Sequence, residues 1–228
     1  METIVDPFQG PDPADTLLVL LPPAQAQLAD FHAHGFVAAV RERALPVDLL
    51  LAQLTYQQVM AHTATASLHQ QVVRPALERG YRQIWLAGIS LGAFNALHYA
   101  ATHAEHLAGI TLVAPYPGTG DVLAEINAAG GPLPWAQTPA GATDDERNWW
   151  RWLCRHSAAG QWPTPVYLGT GEADRFLRGQ RMLADLLPAT QVNYVPGGHD
   201  WPTWRTLWQD WLDHGPLARP ASAERGAN

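Results

Sequence analysis

Short apolar runs alternate along the chain with segments in which apolar residues recur at helical spacing. The run TLLVLL (16–21) is apolar at nearly every position, which is typical of a strand buried on both faces of a sheet. Leu28, Phe31 and Phe36 instead follow the spacing of one helix face. The predicted strands are 16–21, 47–54, 83–89, 108–116, 165–171 and 191–197. The predicted helices are 25–43, 59–80, 91–103, 176–187 and 201–214.

This alternation predicts the fold class. It indicates an α/β protein with a mostly parallel sheet of about six strands and helices on both faces. Ligands of such sheets bind outside the carboxyl ends of the strands, so we expect catalytic residues just after strands. Gly35 weakens the first predicted helix without necessarily breaking it, and Pro75 predicts a kink or late break in the second.

One segment interrupts the alternation. Residues 117–162 are too many for a bare connection in a compact domain, and they include the sequence NWWRWL. Because this insertion lies between two strands at the ligand edge, we expect a short cap over the site rather than a plain surface excursion. The sequence thus predicts a single domain over 1–214, with 1–15 as an extended lead-in and 215–228 as a flexible tail.

Composition and charge exclude several classes of protein. The chain has 228 residues, 47% hydrophobic and 15% charged, which is a globular composition. With a net charge of −7, the chain lacks the basic surface of a general nucleic-acid binder, so no nucleic-acid partner is expected. The single cysteine, Cys154, excludes an intrachain disulfide and a cysteine-based zinc site. No signal peptide and no run of roughly 18 apolar residues is visible, so we expect a cytoplasmic protein without a membrane span.

The most specific chemical signal is Gly88-Ile89-Ser90-Leu91-Gly92, which falls between a predicted strand and a predicted helix. In a G-x-S-x-G sequence at this place, a tight and strained turn projects the serine hydroxyl above the sheet. The flanking positions are glycine because larger side chains would collide with the strand and the helix. The start of the helix stabilises negative charge at the site. Ser90 is therefore a candidate nucleophile, and a helix-capping serine is the alternative.

A serine nucleophile needs a base, and the base needs an acid to orient it. His199 follows the last predicted strand in the segment PGGHD, whereas the other nine histidines fall in predicted helices or at their ends. The predicted acid is Asp174 in GTGEAD, just after the fifth predicted strand, and Glu172 is its competitor. Either carboxylate could instead cap a helix. The chain order is then serine, acid, histidine.

With GISLG at the turn, GTGEAD at the acid and GGHD at the histidine, the chain resembles the α/β-hydrolase superfamily over about residues 16–214. The resemblance implies an α/β-hydrolase fold with reduced amino-terminal strands. It implies serine-dependent hydrolysis of an acyl bond, usually an ester, through an acyl-enzyme, with no cofactor and no metal. It also implies two backbone N–H donors to the oxyanion, one at Leu91 and one in the loop after the first predicted strand.

That loop departs from the family pattern. Many members carry His-Gly there, whereas this chain has Leu21-Pro22-Pro23-Ala24. Since proline has no N–H to donate, we expect Ala24, or else Gln25, to be the second oxyanion donor.

Aromatic residues are expected to line a substrate pocket, with core packing as the alternative for each of them. The candidates are Tyr56, Tyr116, Trp135, Trp149 and Trp201. Together they favour a small or medium acyl or aromatic ester as the small-molecule substrate, and hence a carboxylesterase-type serine hydrolase. The alternatives are a thioesterase or amidase with the same triad, a lyase or transferase, and a non-catalytic binding protein on the same scaffold. A flavodoxin-like domain is disfavoured because LPPA stands where a phosphate-binding loop is needed.

Overall fold

A sheet of seven strands forms the centre of the protein. The computed structural model describes residues 1–139 and 145–218. The strands are β1 (Glu2–Asp6), β2 (Thr16–Leu21), β3 (Val47–Gln53), β4 (Gln83–Ile89), β5 (Gly109–Val113), β6 (Val166–Gly171) and β7 (Val192–Val195). Their order is β1-β3-β2-β4-β5-β6-β7, and every pair is parallel except β1 with β3. The prediction of an α/β fold with a mostly parallel sheet is confirmed, with one strand more than the six expected.

Side chains on the two faces of the sheet build two separate hydrophobic clusters. In β2, Leu17, Val19 and Leu21 belong to one cluster, and Leu18 and Leu20 belong to the other. All five are at most 2% exposed. Successive residues of a strand point to opposite faces, so a strand covered on both faces is apolar at every position.

Helices cover both faces. They are α1 (Leu28–Ala33), α2 (Phe36–Glu42), α3 (Tyr56–Met60), α4 (Ala64–Leu68), α5 (Arg74–Glu78), α6 (Leu91–His103), α7 (Gly120–Ala128), α8 (Pro132–Ala136), α9 (Glu146–Ala159), α10 (Leu177–Ala184) and α11 (Trp201–His214). The helices α1, α2 and α11 contribute to one cluster, and α4 to α10 contribute to the other. The first two helices and the last therefore share one face of the sheet.

Two of the predicted helices are divided in the structure. The helix expected over 25–43 is α1 followed by α2, because the chain turns at Gly35, whose φ of 77° is in the left-handed region. The helix expected over 59–80 consists of α3, α4, a π-helix (His69–Val73) and α5. Pro75 lies in the first turn of α5. A continuous α-helix over 59–80 would need a backbone N–H at this position, and proline has none. The missing donor accounts for the π-helix that precedes α5.

The strand that the sequence analysis missed is β1. It lies in the predicted lead-in and alternates between exposed and half-buried positions. It pairs antiparallel with β3 at the edge of the sheet, from Glu2 opposite Gln53 to Asp6 opposite Leu49. An edge strand of five residues buries little on either face, so its sequence lacks the continuous apolar run of the central strands.

Three helices, α7, α8 and α9, make up the described part of the predicted insertion. Trp149 and Trp150 of α9 are fully buried, and α9 packs on α6, the helix that follows Ser90. The ring centroid of Trp149 lies 6.0 Å from that of Phe94 in α6, and within the insertion the indole N–H of Trp150 donates to the carbonyl oxygen of Pro117 at 3.0 Å. The insertion is thus attached to the rest of the protein through α9 and its Trp149. Residues 140–144 of the insertion and 219–228 of the predicted tail lie outside the described residues.

Within residues 1–139 and 145–218, every helix falls short of the length and apolar character that a membrane crossing requires.

Candidate active site

Ser90 occupies a strained turn between β4 and α6. Its φ of 51° and ψ of −108° form a backbone conformation that non-glycine residues rarely adopt. A Cβ atom added at Gly88 would lie 2.3 Å from the backbone nitrogen of Ala93. One added at Gly92 would lie 2.1 Å from the carbonyl oxygen of Leu21. Both positions therefore require glycine, and these two contacts explain the G-x-S-x-G pattern.

Three side chains meet at the carboxyl edge of the sheet. Nε2 of His199 lies 2.9 Å from Oγ of Ser90, and Nδ1 of the same ring lies 2.7 Å from Oδ2 of Asp174. The three residues follow β4, β6 and β7, whose carboxyl ends lie at one edge because these strands are parallel. The Asp174 side chain is fully buried, and that of His199 is 7% exposed. The structure thus brings together the serine, acid and histidine that the sequence analysis selected.

Asp174 is held in place by its backbone surroundings. Its second oxygen, Oδ1, accepts a hydrogen bond from the backbone N–H of Phe176 at 2.8 Å. The carboxylate can therefore face the imidazole with one oxygen while the other is fixed. Glu172, the competing acid, is exposed instead. A buried carboxylate on Nδ1 selects one tautomer of the ring and stabilises its protonated form.

The imidazole of His199 is enclosed by neighbouring rings. Phe176 and Trp204 each contact it edge to face, with ring centroids 5.0 Å away. Its loop turns at Gly197, whose φ is 129° and where an added Cβ would lie 2.2 Å from Oγ1 of Thr203. Glycine is therefore needed for the loop to bring the ring to the serine.

Asp200 fixes the start of α11 directly after His199. Its Oδ1 accepts hydrogen bonds from the backbone N–H of Thr203 at 3.0 Å and from the Thr203 hydroxyl at 2.7 Å. These two bonds lower the pKa of the Asp200 carboxyl. The cap sets the length of the histidine loop, because the helix can begin only at the next residue.

The loop after β2 lies beside the start of α6. A Cβ atom at Gly92 would also lie 2.8 Å from the carbonyl oxygen of Pro22, so the helix and this loop are in close contact. The strand order explains the contact, since β2 and β4 are neighbours although the chain forms β3 between them. Ala24 and Leu91, the two predicted backbone donors, both line the cavity that contains Ser90.

A cavity of about 1200 Å³ is lined by Ser90. Tyr56 and Tyr116, two of the five predicted pocket residues, line it. Phe94 and Phe176 line it as well, and the sequence analysis did not select them. Phe94 lies one helical turn after Ser90, and this i, i+4 spacing is the signal that identifies it.

Three aromatic rings form a continuous wall beside the triad. The ring centroids of Phe94 and Tyr116 are 5.6 Å apart, and those of Tyr116 and Phe176 are 5.3 Å apart. Burial raises the pKa of the Tyr116 hydroxyl, and the nearby Glu146 carboxylate adds to the effect. The wall is therefore uncharged at neutral pH. It gives the cavity an apolar side next to the serine.

Trp135, Trp149 and Trp201 stand outside the described lining of this cavity. Trp149 is fully buried between α9 and α6. Trp135 is 4% exposed, and its ring lies beneath the guanidinium of Arg151. Trp201 stacks on His34 with 4.2 Å between ring centroids. In these three cases the structure places the ring in packing contacts, which was the alternative to a pocket role.

Solved structures of α/β hydrolases share this fold. FphF, a fluorophosphonate-binding serine hydrolase of Staphylococcus aureus solved with substrate bound, matches with a TM-score of 0.61 and 12% identity, over 92% of this chain and 96% of its own. MGS-MChE2, an α/β hydrolase from the metagenome of sediments of the Mar Chica lagoon, Morocco, matches at 0.59 and 18%, over 92% and 94%. Est1E of Butyrivibrio proteoclasticus with ferulic acid bound matches at 0.57 and 14%, over 92% and 93%. The fold is that of the α/β hydrolases.

The chain also matches the model of a protein family. The model described as "Putative esterase" matches residues 57–212, which is more than half of the chain. The protein therefore belongs to this Esterase family. The chain matches no curated protein.

Proposed function

We propose that the protein is a serine esterase that hydrolyses small or medium carboxylic esters through an acyl-enzyme. Ser90 is the nucleophile, His199 the general base and Asp174 the acid that orients it. The observation that carries this proposal is the pair of hydrogen bonds, 2.9 Å and 2.7 Å long, that join the three side chains through the imidazole. The distance from His199 to Ser90 is within the range that proton transfer requires, and the distance from His199 to Asp174 is that of a hydrogen bond that orients the ring. Membership of the Esterase family supports ester hydrolysis as the overall reaction.

In the first half of the reaction, Nε2 of His199 takes the proton of Ser90 while Oγ forms a bond to the ester carbonyl carbon. The carbonyl electron pair moves to its oxygen, which becomes an oxyanion. When the carbonyl forms again, the bond to the alkoxy oxygen breaks and the alcohol leaves with the proton from His199.

In the second half, the same nitrogen takes a proton from water, and the hydroxide oxygen attacks the acyl carbon. The carbonyl then forms again, the bond to Oγ breaks, and Ser90 regains a proton from His199 as the acid is released. Asp174 stabilises the charged imidazolium in both halves.

The backbone N–H groups of Leu91 and Ala24 bind the developing oxyanion in this proposal. Leu91 is the first residue of α6, where the N–H has no partner within the helix and the helix dipole favours negative charge. Ala24 borders the same cavity and is the first residue after two prolines, which cannot donate. Loss of one such donor costs about 2.7–4 kcal/mol in the barrier.

The shape and chemistry of the cavity support an aromatic or apolar acyl group. The wall of Phe94, Tyr116 and Phe176 lies next to the nucleophile and carries no charge at neutral pH. The volume of about 1200 Å³ exceeds most small-molecule sites, which span roughly 300–1,000 Å³, so a medium-sized ester fits. The ferulic acid in the Est1E structure is an aromatic acid, which is consistent with this class of substrate.

A labelling experiment tests the proposal. The purified protein is treated with a fluorophosphonate probe and assayed with p-nitrophenyl esters of graded chain length, beside matched thioesters and amides. We expect labelling at Ser90 and a fall in kcat of roughly 10⁶-fold in Ser90→Ala. Ser157→Ala is the matched control, because Ser157 lies on α9 outside the described cavity lining.

Two outcomes would contradict the proposal. A folded wild-type protein that neither reacts with the probe nor turns over any ester would be a binding protein on the same scaffold. A higher kcat/KM for thioesters or amides than for esters would assign a different leaving group to the same triad.

A further inference from the structure

Three histidines cluster at the opposite end of α6 from Ser90. His69 begins the π-helix, His103 ends α6, and His106 ends the short 3-10 helix that follows. One ring nitrogen from each lies within 4.8 Å of the other two. The three side chains are half-buried, so the cluster is open to solvent on one side.

The cluster is separate from the catalytic triad. The 13 residues of α6 span roughly 20 Å between Ser90 and His103. A group bound by these histidines cannot contact the reacting atoms of the ester. His103 also lines the cavity that Ser90 lines, but a group bound this far from Ser90 takes no part in the bond changes of ester hydrolysis.

Zn²⁺ and the neighbouring divalent transition metals prefer imidazole nitrogens as ligands. A carboxylate lies beside two of these histidines. Oε1 of Glu105 lies 3.8 Å from Nδ1 of His103 and 3.5 Å from Nε2 of His106. Three nitrogens and one carboxylate oxygen are sufficient for a tetrahedral Zn²⁺ site.

Tyr99 orients one of these ligands. Its hydroxyl is 2.9 Å from Nδ1 of His69, and the Tyr99 side chain is fully buried. This hydrogen bond occupies Nδ1 and leaves Nε2 of His69 available as a ligand. In metal sites, such an outer hydrogen bond fixes the tautomer and the direction of a histidine ligand.

The rings lie close to parallel, with 4.6 Å between the centroids of His69 and His103 and 5.4 Å between those of His69 and His106. Around Zn²⁺, with Zn–N distances of about 2.0–2.1 Å, ligand nitrogens lie roughly 3.4 Å apart. Binding of an ion therefore requires the half-buried rings of His103 and His106 to rotate. A stack of rings without metal is the alternative arrangement.

We propose that His69, His103 and His106 bind one divalent transition-metal ion, with Zn²⁺ as the best match to the donors. The carboxylate of Glu105 completes the coordination. The π-helix and the end of α6 are distant in the sequence. The ion joins them and so stabilises the folded protein. The sequence analysis expected no metal because the α/β-hydrolase resemblance implies none, and it assigned each of these histidines separately to a helix or a helix end.

Metal binding by the full chain, without an affinity tag and freed of metal by a chelator, tests this site. Titration calorimetry with Zn²⁺ should give one ion per chain, and Co²⁺ should produce the visible absorption of a tetrahedral complex. We expect binding to be lost in His69→Ala and in His103→Ala. In Tyr99→Phe the affinity should fall by roughly 10-fold or more, because the orienting hydrogen bond is removed.

His32→Ala is the matched control, since His32 is exposed and lies on α1, which contributes to the other hydrophobic cluster. It should bind Zn²⁺ as the wild type does. The melting temperature should rise with Zn²⁺ in the wild type and in this control but not in His103→Ala. If His69→Ala does not fold, as judged by circular dichroism, His106→Gln at the open rim supplies the same comparison.

Two results would overturn the site. Saturable binding of equal strength in the wild type and His103→Ala would place the metal elsewhere. The absence of any saturable Zn²⁺ binding by the folded wild type would leave the three histidines as a stack of rings. Neither result bears on the esterase proposal, which depends on Ser90 and its own assay.

Discussion

At the scale of single residues, the backbone of Ser90 is the feature on which the chemistry depends. A conformation like that of Ser90 costs of order 1–3 kcal/mol and persists only where its surroundings enforce it. Here the Ser90 N–H donates to the carbonyl of Val113 at 2.9 Å, and its own carbonyl accepts from Phe94 and Tyr116, each at 3.1 Å. These three hydrogen bonds hold the strained residue between β4 and α6. The hydroxyl is thereby directed to His199 before a substrate binds.

Two neighbouring carboxylates provide a test at the same scale. Asp174→Asn keeps the shape of the side chain but removes the charge that holds the tautomer of His199, so we expect kcat to fall roughly 10⁴-fold. Glu172→Gln changes an exposed carboxylate and should retain wild-type activity. Steady-state kinetics with a p-nitrophenyl ester measures both variants, and thermal unfolding shows whether each is folded. If Glu172→Gln alone abolished turnover, the acid of the triad would be Glu172.

At the scale of elements, α11 shows how a helix combines an apolar stripe with a defined start. Its stripe runs through Trp204, Leu207, Trp208 and Trp211, which are all buried against the sheet and α2. The Asp200 cap sets its first turn. The helix expected over 25–43 has an equally clear apolar stripe, yet Gly35 divides it into α1 and α2. An apolar pattern does not show the angle at which two short helices meet, so the stripe alone did not reveal this division.

The tryptophans of α11 give a prediction about hydrogen bonding inside the core. The indole N–H of Trp208 donates to the carbonyl of Phe36 at 3.0 Å, whereas the buried indole N–H of Trp211 has no hydrogen-bond partner in the described part of the chain. Trp208→Phe removes a donor from a buried carbonyl, which costs about 1–3 kcal/mol beyond the lost packing. We therefore expect a larger loss of unfolding free energy in Trp208→Phe than in Trp211→Phe.

Urea denaturation of the two variants measures this difference, since both replace the same ring by the same smaller one. Equal losses, or a larger loss in Trp211→Phe, would show that the hydrogen bond to Phe36 contributes nothing to stability.

At the scale of the whole molecule, the order of strands decides where the chemistry takes place. Five parallel strands in a row, from β2 to β7, bring the residues after β2, β4, β6 and β7 to one edge. The order changes direction at β2 and β4, and the cavity opens at this point, as in other open α/β sheets. At the far edge, β1 closes the sheet and is tied to α2 through Arg41.

The guanidinium of Arg41 gives a prediction for that edge. Its Nε donates to Oδ1 of Asp6 at 2.6 Å, and it also donates to the carbonyls of Asp6 at 2.7 Å and Val47 at 3.0 Å. These bonds join β1, β3 and α2 at a partly buried place, with side-chain exposures of 24% and 31% for the ion pair. We expect Arg41→Met to lower the free energy of unfolding by about 2 kcal/mol.

Arg74→Met is the matched control for this prediction. Arg74 pairs with Glu78 at 3.7 Å, and the two side chains are 60% and 69% exposed, so its loss should change stability by less than about 0.5 kcal/mol. Guanidinium chloride denaturation compares the variants. A loss in Arg74→Met as large as that in Arg41→Met would mean that the edge contact is no stronger than a surface ion pair.

The sequence by itself determined the central strands, the class of fold and Ser90 and His199 of the proposed triad, and it selected Asp174 with Glu172 still open as the acid. Continuous apolar runs report strands that are buried on both faces, and Gly88 and Gly92 report a turn in which no side chain fits. Both signals are local in the sequence, so they can be recognised without knowing which helices and strands pack together.

Only the tertiary structure decided the remaining features. It showed that β1 extends the sheet at its edge, and that Trp149 packs between α9 and α6 while Phe94 and Phe176 line the cavity. It also brought His69 to His103, far apart along the chain. Each of these depends on which helix lies on which face and at what angle, and helical periodicity carries no information about a partner distant in the sequence.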